Sequence, residues 1–301
     1  MRFNKRGVFF TSVVLVVVSI FVVSYTVYSS LDNTDSVQKR VDSMNNFVIA
    51  SEEDLSRQIY VSGFRILFLM QKQIIETGDY LEVNSTFENA FFNGTINGVK
   101  NEEIESLMEG ATFSGIRQSL ESRASRINVL VNMTSPEIEV TQDDPWNVKI
   151  IFRSDLEIND VSGLASWDRR QEIVAYVPIE GFEDPIYPIE SNNPAITVII
   201  NKSEFDSFNN SNELVTHAEN TWYINTPISP SFLDRMEGNL NSQSPHGIES
   251  LAVPELSSKS DISIVDYEYF KNTPGSIPEI SGLPNWFYID SEHESIYSLN
   301  S

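Results

Sequence analysis

Residues 146–179 read WNVKIIFRSDLEINDVSGLASWDRRQEIVAYVPI, and their alternation decides the fold class. Val148, Ile150, Phe152, Leu156 and Ile158 share one face of a first run, and Ile173, Ala175 and Val177 share one face of a second. A period of two is the signature of a half-buried strand. The DVSGLAS stretch between the runs, residues 160–166, is turn-rich, so an antiparallel hairpin is predicted. Two flanking loops, Trp167-Asp168-Arg169-Arg170 and Glu180-Gly181-Phe182-Glu183-Asp184-Pro185, mix aromatic and charged groups. Loops on a rigid scaffold are where binding concentrates, so Trp167, Arg169, Arg170, Phe182 and Asp184 are candidate ligand contacts. The plainer reading is a strand start and a proline-enforced turn.

Toward the C terminus, AITVIIN at 195–201 reads as a short buried strand and 213–220 as a helix. A brief helix is expected at 230–237, with Ser229 as cap, Pro230 at its first position and Gly238 as stop. SDISIVDYEYF at 260–270 reads as a strand, and 290–297 as a last short helix. Toward the N terminus, residues 79–100 carry Asn-Gly pairs at 93 and 97, which suggest a strand or two with tight turns. A helix is expected over 102–128, with acids in its first turn, Arg117, Arg123 and Arg126 late in it, and Ile104, Leu107, Phe113, Ile116 and Leu120 on its apolar face. Strand texture begins at Val129. Neither an internal repeat nor a clean linker divides this region. The expectation is one α+β domain over 79–301, helices laid on a mostly antiparallel sheet.

Residues 35–77 read as a long helix that begins at a capping pair, Asp35 and Gln38, after a polar break at 31–34; Ser51 marks a second possible kink. Val37, Val41, Met44, Val48 and Leu55 form a heptad-like stripe suited to pairing with a second copy or an envelope protein. The wider surface from Ile59 through Phe64, Leu67, Phe68 and Ile75 suits burial in the chain's own domain, and Gly78 suits a helix stop.

Before it lies VFFTSVVLVVVSIFVVSYTVY, residues 8–28, with no charge, Gly or Pro. Its 21 residues match the roughly 20 that cross a bilayer as a helix. Arg2, Lys5 and Arg6 precede it, so residues 1–7 are expected as a cytoplasmic basic stub and everything after residue 28 as extracellular. A cleaved secretory signal is the competing reading, against which the apolar run is long. All 43 acids and 17 of the 20 bases follow the span, which puts a charge of −26 outside. Such a surface repels phosphate backbones and argues against nucleic acid. The lipid bilayer is the expected partner. With no cysteine, disulfides, thiolate metal sites and cysteine nucleophiles are excluded.

Little points to chemistry. His217, His246 and His293 are far apart in sequence and read as surface or structural groups, since zinc needs convergent ligands. No nucleophile elbow surrounds a serine. Acid pairs at 102–103, 143–144 and 183–184 are expected from composition, and serve turns and helix starts more simply than glycoside hydrolysis. No catalytic residue, metal ligand or cofactor is assigned. Sequons at Asn84, Asn93, Asn132, Asn201 and Asn209 fit a glycosylated exterior.

KRGVFF followed by a Val-rich span resembles the class III signal of archaeal type IV pilin-like proteins. The resemblance implies prepilin peptidase cleavage between Gly7 and Val8, leaving the apolar helix as an anchoring and assembly element. ASWDRRQEIVAYVPIEGFEDPIYPI (165–189), PSFLDRMEGNL (230–240), GIESL (247–251), IVDYEYF (264–270) and LPNWFYIDSEH (283–293) resemble blocks of uncharacterised archaeal membrane-anchored surface proteins. That likeness implies a location and no activity. The leading expectation is therefore a non-enzymatic, single-pass cell-surface protein serving envelope assembly or adhesion. The alternatives are an extracellular ligand-sensing or solute-binding module that signals through a partner subunit, and an envelope hydrolase using paired carboxylates.

Overall fold

The computed structural model describes residues 5–252, 259–278 and 281–299, with side chains of the first helix described at Phe10, at 13–28 and from 37 onward. The chain is α+β. Helices α1 (Lys5–Thr77), α2 (Val83–Asn93), α3 (Glu102–Met108) and α4 (Phe113–Ser125) precede strands β1 (Val129–Asp144), β2 (Asn147–Asp160) and β3 (Ser166–Pro178). Short elements follow: α5 (Ile186–Glu190), α6 (Ser211–Glu219), β4 (Tyr223–Asn225), α7 (Phe232–Glu237), β5 (Ile248–Ser250) and α8 (Asp266–Lys271). The sheet β1-β2-β3 is antiparallel, and β4 pairs antiparallel with β5.

The predicted hairpin is present, with the predicted faces. Val148, Ile150, Phe152, Leu156 and Ile158 of β2 are buried, as are Ile173, Ala175 and Val177 of β3. Their opposite faces carry an ion-pair ladder in which Arg153 sits between Glu139 and Glu172.

Two compact units divide the chain. The first comprises Met1–Glu53, Leu120–Asn132 and Leu156–Arg169; the second comprises Asp54–Ser119, Met133–Asp155 and Arg170–Ser301. In the second unit, α1 buries Leu55, Ile59, Ile66, Met70 and Ile74, spacings that place them along one face. That face meets the sheet at Gly63, where an added Cβ would stand 1.8 Å from Cδ1 of Ile150. The glycine therefore sets the helix-to-sheet distance. Gly63→Ala is expected to lose about 1–2 kcal/mol through overpacking despite the better helix propensity of Ala. In an Ile150→Val background, which lacks Cδ1, the same change should be close to neutral; equal costs in both backgrounds by chemical denaturation would refute the close-contact account. Beside this seam, the rings of Phe91 and Phe152 lie 5.6 Å apart, and Phe182 packs between Phe64 and Phe232 at 5.5 and 5.9 Å.

Several expectations need correction. No break or restart occurs at 31–35 or at Ser51; α1 is continuous, because nothing between Gly7 and Gly63 is Gly or Pro, and scattered Ser, Asn and Asp cost only tenths of a kcal/mol each. Gln38 bonds forward to Asp42 rather than capping. Residues 83–93 form α2 instead of a strand, burying Val83, Thr86, Phe87, Ala90 and Phe91 at helical spacing. Asn93-Gly94 is its C-terminal stop, with Gly94 left-handed, and only Asn97-Gly98 makes the expected tight turn, between the bridged Ile96 and Val99. The helix expected over 102–128 is two, split where Gly110 adopts φ of 70°. The segment 195–201 makes only an isolated bridge at Ile199. The cap of α7 is Ser231, in a capping box with Asp234, while Ser229 is buried against Thr226. Residues 266–271 are helical rather than extended, and 291–298 form turns.

Among the described residues, no helix is long and apolar enough to cross a membrane. The described side chains of the apolar stretch, Phe10 and 13–28, are all exposed.

Candidate functional site

The candidate contact residues do not form one surface. Trp167 is exposed, and Arg169 pairs with Glu52 on α1. Arg170 belongs to the ion ladder, bonding Glu137 at 3.0 Å and Asp155 at 3.3 Å. Phe182 and Asp184 are buried. Both sides of the 180–185 turn are therefore core, and Asp184 is a structural anion.

Its partner is Arg235, fully buried on α7. The Nη1 of Arg235 donates to Asp184 Oδ2 at 2.5 Å and to Asp266 Oδ2 at 2.7 Å, and Nη2 donates to the Ile248 carbonyl. Tyr223 Oη donates to Asp184 at 2.8 Å, the Ile186 amide bonds the other oxygen, and the Arg235 guanidinium lies 5.7 Å from the Tyr223 ring. One cation thus joins the start of α5, β4, α7, β5 and α8. Burial pushes the Asp266 carboxyl up to about 6, with the Asp184 charge adding to the rise and Arg235 opposing it.

A second buried cluster is centred on His293. Its Nδ1 lies 2.7 Å from Asp290 Oδ1, and its Nε2 lies 3.3 Å from Glu249 and 2.9 Å from Tyr267 Oη. Ser263 donates to Asp290, and Thr226 to Glu249. Burial works against the imidazolium, but hydrogen bonds and ion pairs with Asp290 and Glu249 outweigh it and raise the ring to about 10. Asp290 is likewise opposed by burial and nevertheless held down at about 2 by His293 and Ser263.

A surface cleft of about 390 Å³ opens at the β1–β2 connection, lined among others by Trp146, Lys202, Ser203, Phe205, Asp206 and Asn225. The Lys202 ammonium lies 5.7 Å from the Trp146 ring. At its wall, Ser203 Oγ is 3.1 Å from Nδ1 of buried His217 and accepts from the Phe205 amide. Desolvation lowers His217 to about 4, and its ring packs against Phe208 at 4.9 Å. A histidine so weakly basic is a poor proton acceptor for a serine at neutral pH, so this pair fastens the core.

The acid pairs serve turns and helix starts. Asp143 pairs with Lys149, Asp144 caps the Trp146 amide, and Glu102 and Glu103 open α3. The carboxylate pairs brought together on one cation, Asp184 with Asp266 and Glu249 with Asp290, are buried. Among the described residues, no three of His, Cys, Asp or Glu are grouped to hold a metal. Asn84, Asn93, Asn132, Asn201 and Asn209 are all exposed. Gly7 and Val8 fall within α1, and their surroundings lie outside the described side chains. Of the α1 stripe, Met44, Val48 and Leu55 are buried by the chain itself, which leaves Val37 and Val41 exposed.

Sequence reasoning missed Arg235, Asp266, Glu249 and Asp290. The available signal was a charge embedded in an apolar block, as in FLDRM at 232–236 and IVDY at 264–267. No protein-family model, curated protein or solved structure matches the chain.

Proposed function

We propose that the chain is a membrane-anchored, non-enzymatic cell-surface protein of pilin-like plan. In this reading the first part of α1 is the anchor, residues 1–7 are cytoplasmic, and the α+β body is exported for envelope assembly or adhesion. One observation carries it. The charge-free 8–28 stretch presents exposed apolar side chains, Leu15 at 68% and Phe21 at 71%, on a helix that continues unbroken into a body whose core covers its later turns. Exposed apolar surface on this scale is unusual for water and marks a membrane or assembly contact. Val37 and Val41 are the part of the stripe open to a second copy, and the exposed sequon asparagines suit an exported face. A second reading, an extracellular solute-binding module, is favoured by the cleft beside Trp146 and Lys202.

The full chain is expected to pellet with membranes and resist alkaline carbonate. Leu15→Arg with Phe21→Arg should release it, since arginine at mid-bilayer depth costs about 2.5–3.5 kcal/mol per residue on insertion scales. An unmodified chain found in the soluble fraction would sink the reading. Mass spectrometry of the mature protein then distinguishes a start at Met1 from one at Val8.

A further inference from the structure

We infer that the tip of the β2–β3 hairpin is a second membrane contact, an apolar wedge resting in the headgroup layer beside the anchor; this rests on the anchor reading above. The observations lie within the first compact unit. Asp160, at the end of β2, receives Arg40 Nε at 2.5 Å, and its carboxylate also accepts from the Ser162 and Leu164 amides, so the loop is wound around it. Arg40 Nη2 further bonds the Asn128 carbonyl at 2.8 Å, which itself accepts from the Val161 amide at 3.1 Å. The tip is thereby fixed to α1 at residue 40.

A second clamp gives its direction. Arg169 of β3 pairs with Glu52 of α1. From Glu52 back to Arg40 is about 18 Å along a helix, and from Arg169 back to the loop is about 13 Å along a strand. Both paths lead toward the 8–28 stretch, so the hairpin points at the proposed membrane.

The reach also fits. Arg40 stands about 18 Å beyond Tyr28 on the helix axis, and the loop extends roughly 6 Å past Asp160. A helix tilt of about 20° lowers one side by a few ångströms, which brings the tip near the polar layer, about 5–8 Å deep on each side of the hydrocarbon. The side chains there have the character of an interfacial contact: Leu130, Val161 and Leu164 are between 50% and 61% exposed. Charge agrees. Outside residues 1–28 this unit carries nine acids and five bases, against 34 acids and 12 bases in the other. The less repelled unit is thus the one that would approach an anionic lipid surface.

The absence of cysteine makes the test direct. The full chain is placed one copy per nanodisc with a single fluorophore on Val18→Cys, Leu164→Cys or Glu53→Cys, all in the first unit, and lipid-borne nitroxides at mid-chain or headgroup depth serve as quenchers. Expected is strong mid-chain quenching at 18, headgroup quenching at 164 several-fold above that at 53, which stands about 20 Å beyond Arg40 on α1, and background at 53. Quenching at 18 with 164 equal to 53 overturns the wedge and leaves the anchor standing. Absence of quenching at 18 overturns both. A label at 164 shielded from water yet untouched by either quencher marks a protein contact and also overturns the wedge.

Discussion

Arg235→Met is expected to leave the second unit unfolded or nearly so, with about 3–5 kcal/mol lost from a total that for a domain is about 5–15 kcal/mol. The methionine fills similar volume, so little of the loss is cavity. What is lost is the only described cation within hydrogen-bonding reach of Asp184 and Asp266, both fully buried, and the donor to the Ile248 carbonyl. Two adjacent carboxylates without a counter-charge cannot both stay ionised. The Asp266 carboxyl, already raised above its unfolded value of 3.8, would rise further, so the deficit should shrink below about pH 4 and grow toward pH 8. Converting Asp184 and Asp266 to Asn and Leu together with Arg235→Met should recover much of the stability, since apolar replacement of an entire buried ion cluster is often neutral. An Arg235→Met protein with an unchanged denaturation midpoint at pH 8 would refute the account.

That cluster also marks the limit of what the sequence makes legible. Arg235 finds its partners 51 and 31 residues away, and nothing in one sequence records a pairing at that distance. Asp184 therefore read as a loop ligand when it is a core anion. By contrast, the β2 and β3 faces are local facts: period two and a turn suffice to place eight buried residues correctly. Between these extremes, error came from competing local signals. Asn93-Gly94 and Asn97-Gly98 look alike in sequence, yet the first ends a helix and the second turns a bridge, because only the first follows the helical spacing of Val83, Phe87, Ala90 and Phe91. In α1 the polar residues at 31–35 weakened the pattern without supplying a breaker, and continuity prevailed.

Stability should fall steadily as pH rises from about 6.5 to 10, through His293. The group binds its proton at about 10 when folded and near 6.5 when unfolded, so its contribution is fully present below 6.5 and is lost as pH climbs through 10, on the order of 5 kcal/mol. Asp290 works in the opposite window: held at about 2 against 3.8, it stabilises above 3.8 and that contribution fades as pH falls through 2. Asp266, raised to about 6, loses its contribution between about 3.8 and 6 and is spent before His293 begins to titrate. Among the described groups with a displaced titration, only His293 has its window between 6.5 and 10. His293→Gln keeps a donor near Glu249 but forfeits the charge between two carboxylates; it should cost several kcal/mol at pH 6 and flatten the slope above 6.5. If the variant unfolds along the same pH profile as the parent in urea melts, then Glu249 and Asp290 do not hold the imidazolium, and the 2.7 and 3.3 Å contacts are not the source of its stability.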